Sequence, residues 1–213
     1  MDKQIIKRTV MSVAGVAAGA VSVGMFKLAA FGVDPFQTLM SGLDALVPIE
    51  FGTLYVIANA VLLLFSLVFN RHLVGLATFI NLFLLGYGAQ FTLEVLQSLF
   101  PAPSAALRLT MLTGGIIITC LGGSLYMTAD LGVSTYDAVA ITLHEKWNLG
   151  KFKYMRILTD FVCVAAGCLL LLLAGEELRE IPATAGIGTI ITAFFMGPLI
   201  DFFNRKVSEP LLR

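Results

Sequence analysis

The chain has 213 residues, of which 58% are hydrophobic and only 13% are charged, and its mean hydropathy is +0.90. A soluble domain carries about 25% charged residues, so this composition excludes an ordinary soluble domain and indicates an integral membrane protein. The formal net charge of zero says nothing about partners. The partner that we expect is the lipid bilayer, and we expect no nucleic acid.

Six segments of the chain reach the length of about 20 apolar residues that a helix needs to cross the hydrocarbon core. In chain order they are residues 9–31, 52–70, 73–93, 109–129, 157–175 and 181–200. Runs of this length predict helices, because barrel strands are shorter and alternate in polarity. The first run is longer than the apolar region of a signal peptide, so we interpret it as a retained helix. We therefore expect an all-α membrane protein with one membrane domain over residues 1–213.

A short amphipathic segment follows the first span and again the fourth. The hexapeptides "GVDPFQ" at 32–37 and "GVSTYD" at 132–137 each begin with a glycine that fits a left-handed helix end. Asp34 and Ser134 then fit N-cap positions, and Gln37 and Asp137 follow at the capping-box spacing. The helices that they start are too short to cross a bilayer, the first being about 18 Å long. Two interpretations stay open: the helices lie flat on the membrane, or they re-enter the protein and present free N–H groups to a polar or anionic ligand.

The two hexapeptides belong to a longer internal repeat. Residues 74–91 and 185–202 align with six identical pairs in eighteen positions, namely Gly75/Gly186, Thr78/Thr189, Ile80/Ile191, Phe83/Phe194, Gly86/Gly197 and Phe91/Phe202. The chain therefore divides into two repeats, about 9–96 and about 109–203. Each repeat has three spans, so the second is inserted upside down relative to the first. Such a 3+3 inverted-topology repeat is characteristic of secondary transporters.

The distribution of Lys and Arg predicts the orientation. With the N-terminus in the cytoplasm, the outer segments hold Arg108 and Arg179. The cytoplasmic segments then hold eleven basic residues: Lys3, Lys7, Arg8, Arg71, Lys146, Lys151, Lys153, Arg156, Arg205, Lys206 and Arg213. By the positive-inside rule we expect a multi-pass protein of the plasma (inner) membrane with both termini cytoplasmic.

Ionisable residues inside spans are costly and are candidates for function. Asp160 is the strongest candidate, because it lies one turn after Arg156 and the two side chains can pair. In the repeat it falls opposite Asn59. A pair that fixes helix orientation and a carboxylate that binds substrate or carries protons both stay open. Asp201 precedes Arg205 by four residues, and this spacing predicts a solvated pair near the cytoplasmic end.

The uncharged polar residues of the third and sixth spans repeat the same spacing. Thr78 and Asn81 are one turn apart, as are Thr189 and Thr192. They line a shared cavity at the pseudo-twofold axis, or they form hydrogen bonds between helices; both interpretations stay open. The complete set of candidate substrate-binding residues is Asp34, Gln37, Asn59, Thr78, Asn81, Asp137, Asp160, Thr189 and Thr192, with Asp160 the candidate for proton coupling.

The segments "LGGSLYMTADLGVSTYDAVAITL" and "GIGTIITAFFMGPLIDF" carry a glycine-rich helix, a polar turn and a later Gly-x-Gly-Thr helix. In this pattern the chain resembles the YczE/YyaS/YitT family of bacterial integral membrane proteins. It departs from the family at Thr135, where proline is usual, and at Gln37, where the equivalent residue is usually Asp. The resemblance implies a polytopic plasma-membrane protein and does not supply a substrate.

The leading hypothesis is a small secondary transporter of a polar or anionic solute. The alternatives are an accessory membrane protein that carries nothing, and a substrate-capturing subunit of a multi-component vitamin importer. We expect no enzyme, metal or cofactor, because the chain has no CxxC pair, no nucleophile with a base and no phosphate-binding loop. Gly15 and Gly19 permit close helix packing within a monomer or between monomers, so the oligomeric state stays open.

Overall fold

In the computed structural model, which describes residues 3–212, the chain is all-helical, with no strand among those residues. The helices are α1 Lys3–Ala29, α2 Pro35–Leu46, α3 Phe51–Phe69, α4 Leu76–Leu99, α5 Ala105–Ala129, α6 Thr135–Glu145, α7 Phe152–Leu173, α8 Ile181–Thr184, α9 Ile187–Phe203 and α10 Glu209–Leu212. A 3-10 turn at Arg71–Leu73 precedes α4, and a π-helical turn at Asn204–Ser208 follows α9.

Within the described residues, six helical segments are long and apolar enough to cross a membrane, in agreement with the sequence. They correspond to α1, α3, α4, α5, α7 and the segment Ile181–Leu212. The sixth differs from the prediction, because it is broken between α8 and α9. There Gly186 is extended, with φ −124° and ψ −152°, and its N–H donates to Thr189 Oγ1 over 3.2 Å instead of continuing a helix.

Helices α1 and α5 pack against each other in antiparallel directions. Arg8 Nη1, near the start of α1, donates to the carbonyl of Ala129 at the end of α5, over 2.9 Å. In the middle, a Cβ on Gly15 would lie only 2.5 Å from the carbonyl oxygen of Gly122. Small residues on both helices therefore let the backbones approach. The contact of Gly15 with α5 lies within one chain.

The remaining long helices pack on α1 and α5 in a matching way. On α1, Gly19 contacts Leu85 and Gly24 contacts Leu93, so α1 and α4 run parallel. On α5, Leu112 contacts Gly188 and Gly123 contacts Ile200, so α5 and α9 run parallel as well. Helices α1 and α4 therefore share one direction, and α5 and α9 share the opposite direction.

The short helices pack against the other half of the chain. Helix α2 runs parallel to α7, with Thr38 and Gly42 against Gly167. Helix α6 runs parallel to α3, where Thr135 Oγ1 donates to Asn59 Oδ1 and Asn70 Nδ2 donates to Glu145 Oε2 over 3.5 Å. The main buried cluster lies where these four helices meet and includes Phe36, Tyr55, Tyr136 and Cys163. Because α2 packs on α7 and α6 packs on α3, the two repeated hexapeptides lie close together.

Candidate functional site

The two short helices begin as their capping residues predict. Asp34 Oδ1 accepts the N–H of Gln37 over 3.1 Å, and Ser134 Oγ accepts the N–H of Asp137 over 3.0 Å. Each bond satisfies one of the N–H groups that a helix start leaves without a partner. The Ser134 hydroxyl also donates to Asp137 Oδ2 over 2.6 Å. The first turn of each helix is therefore fixed by local contacts.

The glycine of each hexapeptide turns the chain rather than ending the preceding helix. Helices α1 and α5 already end at Ala29 and Ala129, and the next residue of each has a positive φ. Gly32 and Gly132 then have φ values of 104° and 111°, which other residues rarely adopt. A Cβ on Gly32 would lie 2.6 Å from the nitrogen of Gly186. The same distance separates a Cβ on Gly132 from the nitrogen of Gly75.

These turns bind the segment that starts the last helix of the opposite half. The N–H of Val33 donates to the Thr184 carbonyl over 2.9 Å, and the N–H of Val133 donates to the Leu73 carbonyl over 3.0 Å. Thr78 Oγ1 reinforces the second contact by donating to the Val133 carbonyl over 2.7 Å. Both connections therefore join the halves through main-chain bonds, which hold the hexapeptides in a fixed position.

The two first turns meet at a pair of aromatic rings. Phe36 stacks on Tyr136, with ring centroids 4.9 Å apart and planes at 23°. Tyr55 of α3 packs edge-on against Phe36 at 5.8 Å. We call the region formed by the first turns of α2 and α6, together with the facing residues Tyr55, Asn59, Arg156 and Asp160, the central site.

Arg156 of α7 organises the charges of the central site. Its guanidinium pairs with Asp137 of α6, and its Nε lies 3.4 Å from Asp160 Oδ1. The predicted pairing of Arg156 with Asp160 is confirmed. Asp160 also accepts a hydrogen bond from the Tyr136 hydroxyl over 2.6 Å. The guanidinium carbon lies 4.7 Å from the centre of the Tyr136 ring, so one cation contacts two carboxylates and an aromatic face.

Asp34 is the third carboxyl of the central site. Burial raises its pKa to about 6, although the N–H of Gln37 and the charge of Arg156 oppose this shift. It also interacts electrostatically with Asp160. None of the ion pairs between residues 3 and 212 includes Asp34. Its carboxylate is therefore the least compensated of the three.

The structure brings together five of the nine candidate residues and leaves four outside. Asp34, Gln37, Asn59, Asp137 and Asp160 lie in the central site. Thr78 and Thr189 are buried at the starts of α4 and α9, where their hydroxyls bond to carbonyls of Val133 and Thr184. Thr192 donates to the Thr189 carbonyl over 3.0 Å, and Asn81 is buried further along α4.

Tyr136 and Thr135 belong to the central site, although neither was among the candidate residues from the sequence. Tyr136 is the fifth residue of the second hexapeptide, and its hydroxyl donates to Asp160. Thr135, which marked a departure from the family pattern, donates to Asn59. A signal for Tyr136 was available, because it aligns with Phe36 in the repeat. Within residues 3–212 no three His, Cys, Asp or Glu side chains are placed to hold a metal ion.

A model of a family of unknown function, DUF6198, matches residues 6–205. An uncharacterised protein of Haemophilus influenzae is 25% identical over 189 residues, which cover 87% of this chain and 78% of that protein. No solved structure matches the chain.

Proposed function

The chain belongs to the DUF6198 family, whose function is unknown, and we propose that it is a small secondary transporter that binds a small polar solute in the central site. One observation carries the proposal. The first turns of α2 and α6, which are a hundred positions apart in the sequence, meet at the stacked rings of Phe36 and Tyr136. Helix starts that converge on a polar centre are typical of transporter binding sites.

The proposal includes a 3+3 inverted-topology repeat. Three observations support it: α1 and α5 are antiparallel, each half pairs its first and last long helices in parallel, and each short helix packs on the other half. Matching bonds from Val33 to Thr184 and from Val133 to Leu73 support it further. Inverted repeats of secondary transporters hold their substrate near the midplane, where the halves meet.

The proposal also makes α2 and α6 re-entrant rather than flat on the membrane. Asp160, which interacts with the start of α2, lies eight positions after the first residue of α7, or about 12 Å along that helix. Most residues in the first two turns of α2 are buried, whereas a helix on the membrane surface keeps its polar side in water. The N-terminal dipole of each short helix then points at the central site.

We place the protein in the plasma membrane with both termini in the cytoplasm, on the strength of the positive-inside distribution. The resemblance to the YczE/YyaS/YitT family also supports a location in the plasma membrane. The orientation is tested with Ala102→Cys, between α4 and α5, and Asn148→Cys, between α6 and α7, in a chain without native cysteines; both positions are exposed. A membrane-impermeant maleimide should label position 102 from outside intact cells and position 148 only after lysis. Labelling of both from one side would refute the orientation.

Transport is tested by ligand screening and flux. Purified protein is screened against metabolites by thermal shift, and stabilising compounds are tested for uptake into proteoliposomes. We expect saturable uptake that Arg156→Met reduces at least about tenfold, while Arg205→Met, which removes an exposed pair with Asp201, leaves it unchanged. Equal uptake by Arg156→Met and wild type would remove the central site from the mechanism. Absence of any stabilising ligand and of any flux would refute transport.

A second proposal, an accessory protein without transport, has one observation in its favour. The hydroxyls of Thr78, Thr189 and Thr192 donate to backbone carbonyls, so the protein itself satisfies them and they are not presented to a solute. The same flux measurement separates the two functions. An accessory protein would give no uptake with any solute. In that case Arg156→Met would change only the stability of the protein.

A further inference from the structure

The central site has an excess of negative charge. Asp34, Asp137 and Asp160 face a single guanidinium, that of Arg156. The starts of α2 and α6 each add a partial positive charge of about half a unit, which together offset about one further negative charge. About one negative charge is left over, and its burial inside a membrane protein is costly unless a cation or a proton neutralises it.

Two buried oxygen atoms beside this charge have no partner. Gln37 lies three residues after Asp34 in the first turn of α2; it is 3% exposed, and its Oε1 has no hydrogen-bond partner among the described residues. Tyr126 of α5 is 8% exposed, and within residues 3–212 its hydroxyl has none either. That hydroxyl interacts electrostatically with Asp137 and Tyr55 of the central site. An amide oxygen accepts hydrogen bonds and binds cations but cannot donate. The unpartnered amide oxygen of Gln37 therefore indicates a positively charged or proton-donating ligand, whereas the Tyr126 hydroxyl is compatible with a donor or an acceptor.

The three carboxylates differ in what compensates them. Asp160 has Arg156 and the Tyr136 hydroxyl. Asp137 has Arg156 and the Ser134 hydroxyl. Asp34 accepts the backbone N–H of Gln37 and interacts with the N–H of Phe36 and the charge of Arg156, but no side-chain donor among the described residues bonds to it. Of the three carboxylates, Asp34 is therefore the one at which a bound positive charge would gain the most electrostatic stabilisation.

We propose that the central site takes up one positive charge at Asp34, from a proton or an alkali-metal ion, and that Asp34 rather than Asp160 couples transport to that charge. Among the titratable and charged groups, those that interact with Asp34 are Tyr55 of α3 and Arg156, Asp160 and Cys163 of α7. Tyr136 and Asp137 of α6 bond to Asp160 and Arg156, and Tyr126 of α5 interacts with Asp137. This inference rests on the proposed function, because the cation would bind in the same central site as the transported solute. The ligand that couples transport is then a cation.

The test uses purified full-length protein in detergent and four variants. Asp34→Asn removes the charge and keeps a good N-cap residue, so the helix start is preserved. Asp160→Asn removes the competing carboxyl, and Asp201→Asn is a control at an exposed carboxylate. Tyr126→Phe removes a neutral oxygen without changing the charge.

Two measurements separate the sources of the charge. Infrared spectra between about pH 5 and 8 report protonated carboxyl groups, and melting temperatures in choline buffer at about pH 8 report binding of added Na⁺, Li⁺ or K⁺. We expect one saturable response, either a carboxyl band or a rise in melting temperature. Asp34→Asn should abolish it and the other two Asn variants should retain it. If the ligand is a metal ion, Tyr126→Phe should weaken binding by about tenfold; if it is a proton, the infrared band should persist in this variant.

The outcomes also separate this inference from the transport proposal. A response that Asp160→Asn abolishes and Asp34→Asn retains would overturn the choice of Asp34. The absence of both responses in the wild type would overturn the cation site. Solute uptake that is independent of proton and alkali-ion gradients would refute the inference and leave transport standing. Cation binding at Asp34 without any solute flux would support the site and refute transport.

Discussion

Phe36 stacks on Tyr136 with the ring centroids 4.9 Å apart, and this pair joins two helix starts that belong to opposite halves of the chain. Each ring follows the N-cap of its own short helix by two positions, so the contact relates equivalent residues of the two hexapeptides. The charged residues Asp137, Arg156 and Asp160 lie directly beside the pair.

The first prediction concerns the close contact at Gly32. Gly32→Ala should lower the free energy of unfolding by more than about 2 kcal/mol, because a left-handed alanine costs about 1–2 kcal/mol and its Cβ would lie 2.6 Å from a backbone nitrogen. Gly175→Ala is the matched control, since Gly175 also has a positive φ, of 92°, but nothing lies within 4 Å of the added carbon. Denaturant unfolding in micelles measures both. Equal losses for the two variants would contradict a role for the contact with Gly186.

The second prediction concerns the guanidinium of Arg156. Arg156→Met leaves two carboxylates without their cation and should reduce stability by about 2 kcal/mol, less than for a fully buried pair because Arg156 is half-buried. The double variant Arg156→Met/Asp160→Asn should recover part of that loss, since it removes one of the unpaired charges. Arg205→Met should cost under about 1 kcal/mol. A double variant no more stable than Arg156→Met would argue against charge as the cause.

The third prediction isolates the hydroxyl of Tyr136. Tyr136→Phe keeps the ring on Phe36 and removes the hydrogen bond to the buried Asp160 carboxylate, which should reduce stability by about 1–3 kcal/mol. Tyr154→Phe serves as the control, because Tyr154 is 61% exposed. Melting temperatures of the two variants make the comparison. If Tyr136→Phe melts with the wild type, the hydrogen bond contributes no net stability.

The fourth prediction concerns the pH dependence of stability. The pKa of Asp34 rises from 3.8 to about 6 on folding, so the folded protein binds more protons than the unfolded chain between these values. Its contribution therefore favours folding at low pH and is lost as the pH rises from about 4 to about 6. Asp34→Asn should flatten the fall in melting temperature over that range. A fall of the same size in the variant would assign the dependence to another group.

Local chemistry made part of this structure predictable. Asp34 and Ser134 were identified as N-caps because a cap bonds within its own turn, and the Arg156–Asp160 pair follows from helical spacing. The pairing of Arg156 with Asp137 was not predictable, because the two residues are 19 positions apart on different helices. For the same reason the sequence left open whether Thr78 lines a cavity or bonds to another part of the fold. Its partner, the Val133 carbonyl, is 55 positions away, and only the packing of the halves brings it near.

The break before α9 has a similar explanation. The sequence from 181 to 200 is apolar throughout and therefore gave one continuous span. In the fold, the carbonyls of Ala183 and Thr184 accept N–H groups from Gly32 and Val33. This segment is therefore hydrogen-bonded to the first half of the chain, and a helix does not continue through it. A hydrophobicity pattern contains no information about such an acceptor.

The bonds between the turn before α2 and the segment before α9 also determine when the first half can be completed during synthesis. Thr38 and Thr184, which these contacts join, are 146 positions apart. At a synthesis rate of about 5–20 residues per second, the 146 residues from Thr38 to Thr184 take about 7–30 seconds to synthesise, so α2 forms before the residues that hold its start. Until then the Asp34 carboxylate is without Arg156 and α7, so the early half of the chain is an incomplete intermediate with an uncompensated charge.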